Sequence, residues 1–338
     1  MEMKATMRNA VVGLLAAVVL SVPALAADLV PVGKAVGISV TIDGAMVAGI
    51  SEVETAGGKV SPAGQAGVLP GDIIIRLGSE EVHCLTDLAG SVRTLDGTPV
   101  TVTVLREDGQ KQFTLTPALS CEGKYQLGLW LRDSVTGIGT ITYYDPETGN
   151  YGALGHGIND VDTGRLLPVR DGSIYHASVI GVVRGQPGTP GELTGTFDGE
   201  GTCGTICGNT VFGIFGTCEG VAGTGGDTVT SAEYGEARPG EATILSNIRG
   251  EEVEEFSIQI DRVYRENGEE RFSITVTDPD LLAATGGIVQ GMSGSPILQD
   301  GKLVGAVTHV LTGDPARGYG LGISSMLSAG QETSEAAA

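Results

Sequence analysis

The sequence predicts a mainly β protein with two folded domains. Three observations support this prediction: 54 of the 338 residues are glycine, strand-like runs recur between turn residues, and few stretches show helical periodicity. A chain of this length can bury two cores of ordinary size. Its net charge of −21 would repel nucleic acid and anionic lipid over most of the surface. Nucleic acid is therefore not expected as a partner, and association with a membrane is expected only through the N-terminus.

The first 27 residues differ in composition from the rest of the chain. Lys4 and Arg8 precede an uncharged apolar stretch, 10–22, and the segment ends with Ala24, Leu25 and Ala26. This order is typical of a secretory signal with an Ala-x-Ala cleavage site, and an uncleaved membrane anchor is the alternative. Both interpretations predict that the folded part of the protein is exported.

Residues 28–118 form the first predicted domain. Its strand patterns cover 37–42, 45–50, 72–77 and 100–105, and its helical pattern covers 85–95. At its centre, residues 61–74 read SPAGQAGVLPGDII. This run resembles bacterial PDZ domains, in which a short helix of small residues leads through a glycine turn and a Gly-Asp pair into a strand.

The PDZ resemblance implies a peptide-binding site at an open sheet edge. The loop and edge strand that it assigns to the peptide are Val36, Gly37, Ile38 and Ser39. The alternative is that Gly37 only forms a turn and that the groove is vestigial.

Residues 119–330 form the second predicted domain, and 331–338 are predicted to be a disordered tail. Strand patterns cover 127–131, 137–143, 177–183, 210–215, 242–248, 255–263, 272–276 and 304–311. A short helix is predicted at 280–284. Many strands separated by Gly, Pro and Asp turns indicate a sandwich or a barrel.

A serine in a glycine-rich turn is the predicted nucleophile. Residues 291–296 read GMSGSP, between two apolar runs. Glycines on both sides of Ser293 allow a tight turn, in which the N–H groups of Gly291 and Ser293 point into one cavity and form an oxyanion hole. Ser295 is less suitable, because the residue before Pro296 is restricted to extended geometry.

His156 is the predicted general base. Gly155 and Gly157 leave its ring unshielded, as a base facing a serine requires, and His176 is the alternative. A histidine before the serine fits trypsin-like double β-barrel peptidases. The α/β-hydrolases are excluded, because their Gly-x-Ser-x-Gly motif fails at Ser295.

The predicted orienting acid is Asp278, which ends a strand and precedes Pro279. Asp160 and Asp162, shortly after His156, are the alternatives. The acid must reach one ring nitrogen of the histidine while the other nitrogen faces the serine.

Five cysteines leave an odd number in an exported chain. Cys203 and Cys218 flank the strand predicted at 210–215, and either a disulfide between them or free thiols is expected. A zinc site is not expected, because no nearby histidine supplies a fourth ligand. No cofactor or metal is predicted.

The motifs together resemble one family, the stage IV sporulation protein B peptidase. The stretches that carry the resemblance are 127–130, 132–134, 137–140, 152–158, 212–216, 277–279 and 287–297. The resemblance implies a serine endopeptidase with a PDZ domain before the catalytic domain and with His156, Asp278 and Ser293 as the triad. It also implies self-cleavage, secretion into the forespore intermembrane space, and cleavage of a membrane-bound regulator of an intramembrane metalloprotease during sporulation.

Two other functions fit parts of the sequence. A non-catalytic envelope binding protein would use the PDZ domain to recruit partners, but loss of the triad residues would be expected there. An envelope quality-control protease of the HtrA type would carry its PDZ domain after the catalytic barrel. The order of the domains in this chain argues against that type.

Overall fold

The computed structural model describes residues 27–106, 109–197, 201–219 and 225–337. These residues form 24 strands and four helices, which confirms the mainly β fold class. The predicted signal or anchor lies outside the described residues, apart from Ala27. Within the described ranges, no helix combines the length and the apolar character needed to cross a membrane.

The elements follow one another along the chain in three groups. The first group is β1 (Asp28–Pro31), β2 (Ala35–Ile50), β3 (Val53–Thr55), β4 (Gly58–Val60), α1 (Pro62–Ala66), β5 (Ile73–Leu77), β6 (Glu80–Glu81), α2 (Leu85–Arg93), β7 (Val100–Arg106), β8 (Gly109–Leu115), β9 (Ala118–Leu119) and β10 (Tyr125–Gln126). The second group is β11 (Leu129–Tyr144), β12 (Asn150–Ala153), β13 (Val169–His176), β14 (Ser178–Val183), β15 (Glu192–Thr196), β16 (Thr202–Thr210), β17 (Gly213–Cys218) and β18 (Val229–Thr230). The third group is β19 (Gly240–Arg249), β20 (Glu252–Glu266), β21 (Glu269–Val276), α3 (Pro279–Thr285), β22 (Pro296–Gln299), β23 (Lys302–Val310), β24 (Arg317–Gly322) and α4 (Ile323–Ala337).

The predicted PDZ motif folds as its residues require. Helix α1 has Pro62 in its first turn, where a missing N–H costs no helical bond, and it ends at Gly67 with φ +90°. Asp72 is wholly buried, and its carboxylate accepts a bond from Leu69 N–H at 2.9 Å and pairs with Arg106 Nε at 2.6 Å. The Gly-Asp pair therefore closes the turn that leads into β5.

Six strands close into a first barrel. β2 pairs with β11, and the pairings continue through β12, β17, β16 and β13 back to β2. The core between them contains Val40, Ile141, Ile174 and Ile214. The ring of pairings is closed, but residues 135–139 of β11 pair, among the strands described, with β2 on one side only, since β12 pairs with β11 from Ile141 onward.

The four residues predicted to hold the PDZ ligand are Val36, Gly37, Ile38 and Ser39. They lie in this first barrel, where Ile38 pairs with Gly137 of β11 on one edge and with Ile174 of β13 on the other. A peptide strand can add only to a free edge. The prediction that these four residues bind a peptide is therefore wrong.

The PDZ unit is inserted into the first barrel. The start of β2 packs in the barrel core, while Ala45 and Val47, further along the same strand, pack in the PDZ core. The chain returns through β11, whose first residues pair with the PDZ part of β2 and whose later residues pair with the barrel part. The barrel thus takes β1 and β2 from residues before 119, where the second domain was predicted to begin.

The second barrel consists of six strands in the order β19, β20, β21, β24, β23 and β22. Its core contains Ile244, Ile258, Phe272, Ile274 and Val307. Two barrels side by side confirm the double-barrel architecture.

Several predicted elements differ from the structure. The strands expected at 37–42 and 45–50 form one strand, β2, and those expected at 127–131 and 137–143 form one strand, β11. The strand expected at 210–215 is a hairpin, because the chain turns at 211–212 and resumes at Gly213, whose φ is +147°. The tail expected at 331–338 is helical as far as 337, within α4. Gly330 of this helix packs so closely that an added Cβ would lie 3.1 Å from Phe215 Cδ1, which explains the order of the C-terminus.

The five cysteines are free thiols in the structure, so the bridge between Cys203 and Cys218 is not formed. Both of these side chains are buried. Burial, with a smaller contribution from Cys203, raises the pKa of Cys218 to about 11. These thiols are therefore protonated at neutral pH and poorly reactive.

Candidate active site

His156 follows β12 in a turn in which the residues on both of its sides, Gly155 and Gly157, must be glycine. Gly155 has φ +67° and lies against β23 of the second barrel, where an added Cβ would be 3.3 Å from Val307 O. At Gly157, an added Cβ would lie 2.6 Å from Thr210 O. The two glycines thus let the loop with His156 lie against both barrels.

The ring of His156 has a defined tautomer. Its Nδ1 lies 2.9 Å from the carbonyl oxygen of Gly157. Because a carbonyl only accepts hydrogen bonds, Nδ1 carries the proton in the neutral ring. The lone pair on Nε2 is then available to a proton donor.

His156 is poised to act as a neutral base. Burial lowers its pKa below 6.5, and the bond to Gly157 offsets only part of this shift. The imidazole is therefore neutral at pH 7, as proton abstraction requires.

Ser293 lies in a turn of the second barrel that is pressed against the first. Gly294 has φ +98°, and an added Cβ there would lie 2.5 Å from Leu154 N, two residues before His156. Gly291 has φ +96°. Ser295 is completely buried, which agrees with its exclusion as the nucleophile.

The Ser293 hydroxyl is engaged in a bond of its own. Oγ donates to the carbonyl oxygen of Thr308 at 2.7 Å. Thr308 is in β23 and is nearly inaccessible to solvent. Attack on a substrate therefore requires a rotation of the Ser293 side chain toward His156.

Two backbone donors point to a site for an oxyanion. In the described part of the chain, neither the N–H of Gly291 nor that of Ser293 donates to an acceptor. Both residues line the same cavity as His156. An oxyanion hole requires backbone N–H groups beside the nucleophile that are free to donate to the oxyanion, and these two N–H groups meet that requirement.

Two buried threonines of β11 hold the serine turn. Thr140 Oγ1 donates to Gly291 O at 2.7 Å, and Thr142 Oγ1 donates to Gly294 O at 2.8 Å. Thr140 N–H also donates to Ser293 O at 3.1 Å. Sequence reasoning missed both residues, although two threonines at alternate positions in the uncharged second half of the strand are a sign of buried hydrogen bonds.

His309 is a further residue of the site that was not predicted. Its ring centroid lies 4.6 Å from that of His156, with 32° between the planes. The two rings are thus in tilted contact with each other. Although part of its side chain is exposed, desolvation by the cavity wall, with contributions from His156 and Arg271, lowers the pKa of His309, so it is neutral at pH 7.

The cavity between the barrels has a volume of about 530 Å³ and is mainly apolar. Its walls include Val135 and Ile138 from β11, Ile158 from the loop after His156, and Val289 and Val310 from the second barrel. Among the described residues that line it, none is Asp, Glu, Lys or Arg. Apolar, uncharged walls of this kind bind an uncharged peptide segment best.

The structure does not bring Asp278 to His156. The Asp278 carboxylate caps α3: Oδ1 accepts bonds from Asp280 N–H at 3.0 Å and Leu281 N–H at 3.1 Å, and Oδ2 accepts one from Ser257 N–H at 3.3 Å. Ser257 lines a different cavity. The predicted contact is therefore absent, because backbone donors occupy both oxygens.

The alternative residues are also placed elsewhere. Asp160 is buried and faces Arg132, and Asp162 pairs with the same arginine. His176 is exposed at the end of β13 and does not line the cavity. Of the predicted catalytic residues, the structure thus brings together His156, Ser293 and Gly291.

Comparison with known proteins assigns the chain to a family. A model of the SpoIVB peptidase S55 family matches residues 123–327, more than half of the chain. The chain belongs to this family. A PDZ domain model matches residues 55–106. The protein is therefore a serine peptidase that carries a PDZ domain.

Solved structures with similarity include the inactive form of Rv3671c protease, which is 14% identical, with 58% of this chain and 84% of that chain covered and a TM-score of 0.35. The active form of Rv3671c protease from M. tuberculosis is 13% identical, with 58% and 74% covered and a TM-score of 0.32. Similarities this low add nothing to the assignment. No curated protein matches the chain significantly.

The match to the S55 family begins at residue 123, after the residues that the PDZ model matches. The first barrel of this S55 peptidase nevertheless depends on β1 and on the first part of β2, which lie before those residues. The catalytic fold is thus split by the PDZ insertion.

Proposed function

We propose that the protein is an exported serine endopeptidase in which Ser293 is the nucleophile and His156 the general base. The observation that carries this proposal is the shared cavity, in which both residues lie with the free N–H groups of Gly291 and Ser293. Each barrel supplies one of the two reacting side chains.

The reaction begins when Ser293 Oγ leaves Thr308 O and turns to Nε2 of His156. His156 takes the hydroxyl proton as Oγ attacks the carbonyl carbon of the scissile bond. The N–H groups of Gly291 and Ser293 stabilise the oxyanion, and His156 then gives the proton to the leaving amine. The Nδ1–H bond to Gly157 keeps Nε2 free for both transfers.

The substrate is an extended polypeptide segment with apolar side chains near the scissile bond. In the described ranges, no strand pairs with the edge of β11 opposite β2 between Leu129 and Gly139. Residues 135–138 of this edge line the cavity, so a substrate can add there as a strand.

The PDZ unit has a free edge on the same strand. Residues 129–132 pair with β2 on one side only, and α2 lies near the other side, where Leu85 N–H donates to Asp133 Oδ2 at 2.8 Å. In the described part of the chain, the N–H groups of Leu127 and Gly128 donate to no acceptor. This edge replaces residues 36–39 as the proposed peptide site.

The biological role follows the family resemblance. The protein acts in a sporulation checkpoint, cleaves itself, and cuts a membrane-bound regulator of an intramembrane metalloprotease. It is exported through residues 1–27 and works in the forespore intermembrane space. The family name and the mainly apolar cavity support a polypeptide substrate in such a pathway.

A serine-directed fluorophosphonate probe tests the catalytic proposal. The wild type is expected to be labelled, and Ser293→Ala to abolish labelling. His156→Ala should slow labelling by roughly a thousandfold or more, because the base is lost. The control Ser295→Ala should be labelled like the wild type, since Ser295 is buried. Labelling that persists in Ser293→Ala would assign the nucleophile to another residue.

A further inference from the structure

The loop after His156 is built as one closed unit. This His loop, residues 157–167, is closed by Leu167 N–H to Ile158 O at 3.0 Å and by Asp160 N–H to Arg165 O at 2.8 Å. Its first residue, Gly157, provides the carbonyl that fixes the tautomer of His156. The position of the His loop therefore decides the orientation of the ring.

One side of the His loop is attached to the first barrel. Asn209 of β16 accepts a bond from Ile158 N–H at 2.8 Å, and its Nδ2 donates to Ile158 O at 2.8 Å and to Leu167 O at 2.9 Å. These bonds hold the two ends of the loop and leave its far end to other partners.

The far end is organised by a buried carboxylate. Asp160 is inaccessible to solvent, and its Oδ1 accepts bonds from Asp162 N–H, Thr163 N–H and the Thr163 hydroxyl. Its Oδ2 has no hydrogen-bond partner in the described part of the chain and lies 3.3 Å from Arg132 Nη1. A buried carboxylate needs such a counter-charge, because an unpaired charge away from water is strongly unfavourable.

The counter-charge comes from the strand that links the two units. Arg132 is in the PDZ part of β11, opposite Met46, and also pairs with Asp162. The next residue, Asp133, holds the start of α2 through Leu85 N–H. Two consecutive residues of one strand thus contact the His loop and a PDZ helix.

We propose that Arg132 is a positioning residue of the peptidase centre, which holds His156 in its reactive orientation through Asp160 and the His loop. The inference rests on the proposed role of His156 as the base. The structural route runs from Arg132 to Asp160, from the His loop to the Gly157 carbonyl, and from that carbonyl to Nδ1 of His156. Because Arg132 lies in the PDZ part of β11, its contact with the His loop makes the catalytic geometry depend on the PDZ unit.

The test compares four full-length proteins: wild type, Arg132→Gln, Arg132→Lys and the control Arg170→Gln. Arg170 is a matched control, because it also joins the barrel to the PDZ unit, through His83 O at 2.9 Å, without touching the His loop. The first readout is the rate of fluorophosphonate labelling. The second is the tautomer of His156 by ¹⁵N side-chain NMR, for which the chain offers only four histidines.

Arg132→Gln is expected to slow labelling by roughly tenfold to a hundredfold, since small displacements of a reacting group have effects of this size. Its His156 should lose the single Nδ1–H tautomer. Arg132→Lys should restore most of the rate, because it keeps the charge beside Asp160. Arg170→Gln should match the wild type in both readouts. Wild-type behaviour of Arg132→Gln, or an equal loss in Arg170→Gln, would overturn the proposal.

A double variant covers the case in which Arg132→Gln folds poorly. Asp160→Asn removes the buried charge, so adding Arg132→Gln to it should cause little further loss of thermal stability. The double variant should still label slowly with a mixed His156 tautomer. A folded double variant with the wild-type rate and tautomer would refute the role of Arg132. An unlabelled wild type would instead refute the catalytic proposal, while the NMR readout would still test the loop.

Discussion

At the scale of single residues, two histidines in contact in one cleft determine how the site responds to pH. Partial burial lowers the pKa of His156, and desolvation in the cleft together with the neighbouring His156 lowers that of His309. Both rings are therefore neutral near pH 7, and the fall in activity as His156 becomes protonated should have its midpoint below pH 6.5. The decrease of the rate at low pH, the acid limb of the rate profile, therefore measures the protonation of His156.

Replacing His309 tests this electrostatic coupling. In His309→Lys, a permanent positive charge lies beside His156 and disfavours its imidazolium form. The acid limb of the labelling rate should move to lower pH than in the wild type. His309→Gln, which is uncharged, should leave the position of the limb nearly unchanged. A shift to higher pH in His309→Lys would contradict the coupling.

Asp278 illustrates how one pattern serves two roles. Aspartate before proline at the end of a strand was interpreted as an orienting acid, but the same residues form a helix N-cap with proline in the first turn. The local signal for the cap was present in the sequence. Only the arrangement of the strands shows which role the carboxylate has.

The capping role predicts a stability effect. Asp278→Ala should lower the free energy of unfolding by about 1 kcal/mol, whereas Asp278→Ser, which keeps a capping oxygen, should stay close to the wild type. Denaturant unfolding measures both. If Asp278→Ser has normal stability but is no longer labelled by the probe, the carboxylate belongs to the triad, as the family resemblance implies, and the start of α3 must move during the reaction.

At the scale of elements, the serine turn depends on the close approach of two loops. Gly294 packs against the residues before His156, and its backbone lies in the left-handed region. The glycine-rich pattern of the turn was visible in the sequence. Its contact with Thr140 and Thr142 was not, because those bonds join residues about 150 positions apart.

The close approach of the serine turn to the residues before His156 can be tested by substituting two glycines, one at the contact and one away from it. Gly301 has φ +77° and open space around the position of an added Cβ, so Gly301→Ala should cost only about 1 kcal/mol from backbone strain. Gly294→Ala adds a steric clash to the same strain and should be much more destabilising, with loss of probe labelling. Thermal unfolding and labelling would show the difference. Equal losses of stability and labelling in the two variants would mean that the serine turn is not closely packed against the residues before His156.

At the scale of the whole molecule, the fold class and the PDZ motif predicted from the sequence are confirmed, and the two proposed reacting residues, His156 and Ser293, line one cavity. The sequence did not predict that one strand serves both units, because alternating apolar residues look the same in a barrel and in a PDZ sheet. For the same reason, Val36, Gly37, Ile38 and Ser39 were assigned to the wrong unit. The predicted boundary at 119 separated strands that pair with each other.

The insertion predicts which truncations fold. A chain that starts at residue 119 lacks β1 and β2 and should fail to form the first barrel. Replacing residues 43–132 by an Asn-Gly turn should keep the first barrel, since Ile42 and Asp133 would then continue a two-stranded hairpin. The same chain carries Asp160→Asn, because the replacement also removes Arg132, the counter-charge of Asp160. Near-ultraviolet circular dichroism and cooperative thermal unfolding distinguish the two outcomes. Cooperative unfolding of the chain from 119 would refute the split fold.

The two 16-residue strands that run through both units have a mechanical consequence. Flexible linkers let neighbouring domains reorient independently, whereas a hydrogen-bonded ribbon transmits bending and twist along its length. The PDZ unit and the double barrel should therefore tumble in solution with one rotational correlation time. A load applied to one end of the ribbon would strain the wall beside His156 at the other.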